Sequence, residues 1–326
     1  MQRPALSLII PVYNEEEIIA ELDRRLKAFF REIDESWEVV FVDDGSYDDT
    51  PAALKELAAA EPRYKVISFS RNFGHQAAIT AGMDRAEGDA VVIMDGDLQD
   101  PPEVVAAMIQ KWREGYDVVY GQRSLHHGEG VFKRATAAAF YRLLRALMPI
   151  EMPLDTGDFR LMSRSVVLAM RALREQHRFV RGMVSWVGFQ QTAVQYERPE
   201  RFAGETKYPL RKMIRFAIDG ITSFSIVPLR LATWLGLLSG LAAIVTSGWA
   251  LYSSIAGKTV PAWATITIAV ALAASAQLIM TGILGEYIGR IYEEVKRRPL
   301  YVVADTLNLP PTDSASGREK TGKVSR

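Results

Sequence analysis

The chain has 326 residues, 48% hydrophobic and 24% charged, which suits one large globular unit with an appendage. Thirty-nine Lys and Arg balance 39 Asp and Glu, so zero net charge gives no global field to draw in nucleic acid. The absence of cysteine excludes disulfides, thiolate metal sites and Cys nucleophiles.

The apolar run 5–10 predicts a buried strand. It is short, interrupted by Ser7, and lacks the charged leader and small-residue cleavage site of a signal peptide. Residues 15–30 carry apolar side chains at helical spacing, and 38–42 predicts a second strand ending at Asp43-Asp44-Gly45-Ser46. Thr50-Pro51 predicts an N-cap followed by proline at the first helical position. Strands at 66–69 and 90–94 flank a helix over about 74–86. Asp100-Pro101-Pro102 opens a helix reaching about 114, and 117–120 predicts a further strand. This alternation predicts an α/β fold, a mostly parallel sheet covered on both faces. Ligands in such sheets lie beyond the carboxyl ends of the strands, where the acidic clusters fall.

The last third differs. Residues 231–257 and 259–285 are uncharged, with Lys258 alone between them; each run of about 27 residues exceeds the roughly 20 that span a bilayer. Trp234, Trp249, Tyr252, Trp263 and Tyr287 stand near the run ends, where interfacial aromatics are expected. Arg211, Lys212, Arg215 and Arg230 precede the first run, and Arg290, Lys296, Arg297 and Arg298 follow the second. The positive-inside rule therefore predicts a multi-pass protein of the inner (plasma) membrane, with both termini and the α/β domain cytoplasmic. Residues 210–224 and 286–298 are amphipathic, fitting helices in the headgroup plane or, alternatively, cytosolic packing helices. The predicted organisation is a domain over 1–205, a juxtamembrane segment over 206–229, a two-helix hairpin over 230–285 (about 231–256 and 261–285), a second juxtamembrane segment over 286–311, and a disordered tail over 312–326.

Asp95-Gly96-Asp97 follows a continuous apolar strand. Two carboxylates one residue apart supply hard oxygen ligands for Mg²⁺ or Mn²⁺, completed by substrate phosphates, and Gln99 can add a side-chain oxygen. Many turns also read Asp-Gly-Asp, and Asp43-Asp44-Gly45-Ser46 alone fits an Asx-type turn equally well. The convergence is the stronger signal: Pro11-Val12-Tyr13-Asn14-Glu15 adds a third polar loop at a third strand end. Gly257-Lys258-Thr259 is not a P-loop, because Tyr252 stands where the first Gly is required.

Those runs, with Ser70-Arg71-Asn72-Phe73-Gly74, Asp95–Glu103 and Thr156-Gly157-Asp158-Phe159-Arg160-Leu161, occur in order. The set resembles the family 2 glycosyltransferases of the dolichol-phosphate-mannose synthase type, in particular the bacterial GtrB/ArnC-like polyisoprenyl-phosphate glycosyltransferases, over about residues 5–305. The resemblance implies a GT-A (Rossmann-like) fold and inverting transfer of one sugar from a nucleotide-sugar donor to a polyisoprenyl phosphate, with a homo-oligomer plausible. UDP-glucose and undecaprenyl phosphate are the expected substrates; mannose, N-acetylglucosamine and aminoarabinose donors stay open. It implies that Pro11, Tyr13, Glu15, Asp43, Asp44, Asn72 and Asp95 hold the donor. Asp95, Asp97 and Gln99 hold the metal, and Asp158, Asp97 and Arg123 serve catalysis. Arg123 and Arg134 meet the acceptor phosphate, with Lys133, Arg201 and Lys207 as further candidates. The commoner family form has Ala where Gly96 stands.

Asp158 matches the family's candidate base. An acceptor phosphate with a second pKa of about 6 is already largely ionised near neutrality and needs little proton abstraction. The expectation is therefore that Asp158 orients the acceptor site or an Arg partner, Arg160 being the candidate. Two rival readings are a processive polysaccharide synthase and a non-catalytic nucleotide-binding membrane scaffold. The first lacks the Gln-x-x-Arg-Trp motif and a larger bundle, and intact Asp95, Asp97 and Asp158 argue against the second.

Overall fold

The computed structural model describes residues 3–123, 156–197, 225, 227–257 and 262–309. Its centre is four parallel strands: β1 (Leu6–Val12), β2 (Trp37–Asp43), β3 (Tyr64–Phe69) and β4 (Ala90–Ile93), in the order β4-β1-β2-β3. β1, β2 and β4 are buried at every residue, which is why they read as near-continuous apolar runs instead of alternating ones. Helices α1 (Glu16–Glu32), α2 (Thr50–Ala60), α3 (His75–Arg85) and α4 (Val104–Arg113) connect or follow them. Separate apolar clusters on the sheet's two faces mark a layered core.

Three further strands extend one side: β5 (Val118–Arg123), β6 (Thr156–Ser163) and β7 (Gln191–Tyr196), with α5 (Arg164–Ala172) and α6 (Val180–Trp186) between the last two. β6 runs antiparallel between β4 and β5, and β7 is parallel to β5. The mostly parallel α/β sheet expected from the sequence is present.

Two details of the N-terminal half differ from expectation. Asp49, not Thr50, precedes α2, and Asp48 Oδ1 accepts the Thr50 amide at 3.1 Å. The Thr50 hydroxyl instead accepts from the Glu15 backbone at 2.8 Å, tying the β1 loop to the start of α2. Pro11 sits inside a central strand without cost. β4 pairs with β1 only as far as Ile9↔Ile93, so the amide that Pro11 lacks lies beyond the β4 ladder.

Two long helices follow, α7 (Val227–Ile255) and α8 (Ala262–Val295). Each contains a 27-residue apolar span, Val227–Ser253 and Ala269–Val295, with mean hydropathy 1.6 and 1.5. The most apolar windows are 6% and 0% buried, so these are not core helices. Water is a poor solvent for such surfaces, and the pair has the length and composition of a transmembrane hairpin.

The 286–311 segment holds two elements. α8 continues unbroken to Val295, and 303–307 forms β8 (Val303–Leu307), which pairs antiparallel with β3 at the far sheet edge. Asn308 closes that edge by donating to the carbonyls of Ala58 and Tyr64 at 2.7 and 2.8 Å. The expected amphipathic helix at 210–224, the Lys258 loop and the tail from 312 lie outside the described residues.

Candidate active site

The sheet order reverses between β1 and β4, since β1 leads to β2 on one side and meets β4 on the other. Loops leaving such a switch point diverge and leave a crevice. A cleft of about 300 Å³ lies there, lined by residues that include Pro11, Tyr13, Glu15, Asp44, Asn72, His75, Asp95 and Asp97. Six expected donor residues, Pro11, Tyr13, Glu15, Asp44, Asn72 and Asp95, thus share one cavity.

Asp43 does not line it. It is buried, and its Oδ1 accepts the Ser46 amide at 2.9 Å, the Asx-type turn. Asp44 lines the cleft but spends both oxygens on backbone: Oδ1 accepts from Phe73 at 2.7 Å, and Oδ2 from Gly74 at 2.9 Å. Burial raises its pKa, while those two amide bonds act in the opposite sense. Its role in this geometry is to fix the loop that opens α3. At the cleft mouth Tyr13 meets Tyr47 edge-on, with ring centroids 6.1 Å apart. Tyr47, absent from the sequence reading, is 84% exposed.

Asp95 and Asp97 stand in the opposite wall. The loop between them is tight: a Cβ on Gly96 would lie 3.0 Å from Val12 Cγ1 and 3.2 Å from the Pro11 carbonyl. Leu98 adopts φ 60°, a left-handed conformation unusual for leucine. Asp100 stabilises the loop by accepting the Asp95 amide at 3.3 Å and the Tyr196 hydroxyl at 2.9 Å. Gln99 is buried and its side chain is not among the cleft-lining groups.

Burial pushes the Asp95 carboxyl up to about 7; His75 opposes the rise, and Asp100, Asp158 and Asp97 add to it. Asp95 Oδ1 is covered and has no hydrogen-bond partner. A covered carboxylate oxygen that makes no hydrogen bond and has the His75 ring nitrogen near it at 3.4 Å, one residue from a second carboxylate, is a donor set suited to a hard divalent cation. Among the described residues no cluster of three or more His, Asp or Glu is placed to hold a metal alone. The cation would need substrate oxygens to complete its shell.

Asp158 lies at the start of β6 and is 4% exposed. Arg181, from α6, grips it with two bonds, Nε–Oδ1 at 2.9 Å and Nη2–Oδ2 at 3.2 Å. Gln76 donates to Oδ2 at 3.3 Å and is itself aligned by accepting the Val180 amide at 2.9 Å. His75 Nε2 stands 3.4 Å from both Asp158 Oδ2 and Asp95 Oδ1, bridging the two carboxylates. Burial by itself would raise the Asp158 pKa. The Arg181 charge, bonds from His75 and Arg181, and the Arg160 charge more than reverse this, and hold the carboxyl well below the usual range. Burial also works against an imidazolium at His75, yet the bond to Asp158 and the charges of Asp95 and Asp158 raise its pKa.

The expected partner Arg160 is displaced by Arg181. Its guanidinium donates to the Gly157 carbonyl at 2.9 Å and reaches Asp158 Oδ1 only at 4.0 Å. Burial lowers its pKa to about 10, so it keeps its charge near neutrality. Arg181 was legible as a lone cation amid buried Val180, Gly182, Met183 and Val184, although nothing local links it to Asp158. Arg123 ends β5, its backbone in register with Tyr196. Its side chain lies outside the described residues, as do Lys133, Arg134, Arg201 and Lys207.

The model of the family described as "Glycosyl transferase family 2" matches residues 7–170. An uncharacterized glycosyltransferase of Bacillus subtilis (strain 168), YkcC, is 51% identical, the match covering 93% of this chain and 94% of the relative. The prophage bactoprenol glucosyl transferase homolog of Escherichia coli (strain K12) is 40% identical over 91% of this chain and 98% of its own. Among solved structures, the mannosyltransferase PcManGT from Pyrobaculum calidifontis, in complex with GDP-Man and Mn²⁺, gives a TM-score of 0.43 at 19% identity, covering 91% of this chain and 89% of that one.

Proposed function

The chain belongs to glycosyl transferase family 2, and from that premise we propose that it moves one hexosyl residue from a nucleotide-sugar to a polyisoprenyl phosphate at the cytoplasmic membrane face. UDP-glucose and undecaprenyl phosphate are the substrates this reading names, in line with the bactoprenol glucosyl transferases among its relatives. The observation that carries it is a single cleft lined by Asp95, Asp97 and His75, with buried Asp158 behind His75, in a chain whose two uncovered apolar helices require a lipid environment.

The acceptor phosphate is largely ionised near neutrality and attacks the sugar's anomeric carbon from the face opposite the departing diphosphate, inverting it. Asp95 and Asp97 would hold Mg²⁺ or Mn²⁺, whose charge, when bound, offsets that of the donor diphosphate. Tyr13 and Tyr47 offer the nucleobase an aromatic wall. Asp158 is committed to Arg181, Gln76 and His75, so its part is to hold those donors in place; proton removal is not needed. Arg297 and Arg298, beyond the second span, favour cytoplasmic termini and an inner-membrane location for the multi-pass chain.

The test is incubation of membranes bearing the protein with labelled UDP-glucose and undecaprenyl phosphate. Label should pass into an organic-extractable lipid, and chelation should stop it. No lipid-linked product with any nucleotide-sugar, with metal supplied, would overturn the reading.

A further inference from the structure

The segment that returns from the membrane hairpin touches the donor cleft through a chain of rings. Tyr301 stacks on Phe69 with centroids 5.0 Å apart and planes 13° from parallel. Phe69, the last residue of β3, meets Phe73 edge-on at 5.7 Å. The amides of Phe73 and Gly74 are those held by Asp44, and the next residue, His75, bridges Asp95 and Asp158. The contact continues through backbone, since Ser70 donates to the Val302 carbonyl at 3.0 Å.

Tyr301 also grips the far end of the same helix. Its hydroxyl donates to Asp84 Oδ2 at 2.7 Å, near the C-terminus of α3, and Asp84 takes two bonds from Arg174 at 2.8 and 3.0 Å. One side chain therefore bears on both the strand before the donor loop and the helix after it. Gln176, between α5 and α6, ties the head to the end of α8 and the start of the segment, its amide donating to Glu294 and its side chain to the Arg298 carbonyl, each at 2.6 Å.

We propose that Tyr301 is a positioning residue for donor binding, setting loop 70–75 and α3 through Phe69 and Asp84, so that the hairpin and the nucleotide cleft form one mechanical unit. The inference rests on the donor reading of the cleft. Tyr301 does not itself line the cleft, and its effect passes through Phe69, Phe73 and α3.

The test compares full-length wild type, Tyr301→Ala, Tyr301→Leu and Tyr301→Phe in lipid nanodiscs. Amide hydrogen exchange and UDP-glucose kinetics are measured with undecaprenyl phosphate as acceptor. Loss of the ring should speed exchange at Phe73 and Gly74 by about tenfold while α1 and α2 keep wild-type rates. The donor KM should rise about fivefold with the acceptor KM unchanged. Tyr301→Phe, which keeps the stack and loses the Asp84 bond, should restore most of the protection. Tyr301→Leu keeps apolar volume without a ring and serves if the alanine variant does not fold. Wild-type exchange at 70–75 in the alanine or leucine variant, or equal acceleration throughout the domain, would overturn the proposal. Exchange does not depend on turnover, so an inactive wild type with the expected exchange pattern would count against the function and leave the mechanical coupling supported.

Discussion

Removing either half of the Asp158–Arg181 pair should cost nearly as much as removing both. In Arg181→Ala the carboxylate, 4% exposed, keeps Gln76 and His75 but loses two charge-assisted bonds, and Arg160 is 4.0 Å away. Breaking a buried pair from one side costs about 3–5 kcal/mol, because a charge is left uncompensated. Arg181 is 31% exposed, so water offsets part of its contribution, and about 3 kcal/mol is the expected loss. Asp158→Asn turns an amide N–H toward the guanidinium and should lose about 2 kcal/mol. If the pair acts as a unit, the double variant loses about 3 kcal/mol, not the 5 of an additive sum, a coupling of roughly 2 kcal/mol. Denaturant unfolding in detergent, followed by tryptophan fluorescence, measures stability, and single-turnover transfer measures chemistry. Coupling below about 0.5 kcal/mol, or turnover losses that multiply in the double variant, would refute the reasoning.

Because Asp158 has a depressed pKa, its stabilisation is present above the unfolded value of about 3.9 and is lost only as pH falls through the folded one. Wild type and Asp158→Asn should therefore show pH–rate profiles of the same shape between about pH 5.5 and 8.5, and an acid limb in wild type that the variant lacks would refute the depressed pKa. Asp95 carries the opposite sign: its pKa is raised, so metal-free wild type should lose stability as pH rises from about 4 toward 7. Asp95→Asn should remove that slope, gain on the order of 2 kcal/mol at pH 8 without metal, and lose any stabilisation by Mn²⁺, all read from thermal scans with and without Mn²⁺. Gly45 has φ +72°, and a Cβ there would lie 2.4 Å from the Arg71 carbonyl carbon. Gly45→Ala should cost about 2–3 kcal/mol and raise the donor KM, measured by denaturant unfolding and initial rates.

The central strands and helices were legible because each carries its own periodicity, and the acidic loops because they stand at strand ends. β8 was not. Val303–Leu307 is short and half polar, and its status as a strand depends on β3, whose edge is left open until the chain returns from the hairpin. The same limit explains Arg160 and Arg181. Proximity in sequence and a shared face of β6 favour Arg160, two residues from Asp158, but its guanidinium is taken up by the Gly157 and Asp158 carbonyls, while Arg181 arrives from α6. Asp44 and Asn72 were placed by pattern, yet the bonds that Asp44 accepts from the Phe73 and Gly74 amides join residues 29 and 30 apart.

α8 is 34 residues long, about 51 Å at helical rise, against roughly 30 Å of hydrocarbon. With the uncharged stretch 262–285 in the bilayer, as proposed, the charged final turns 286–295, about 15 Å of unbroken helix, would stand clear of it on the side of the catalytic head. A rigid mast of that length would fix altitude. On the proposed function, the head would then inspect only what reaches its own plane, the phosphate and the first isoprene units, while the remainder of the carrier stays submerged. Carriers that differ only in the number of units should be treated alike, and discrimination among lipids reduces to how high each can lift its charged end.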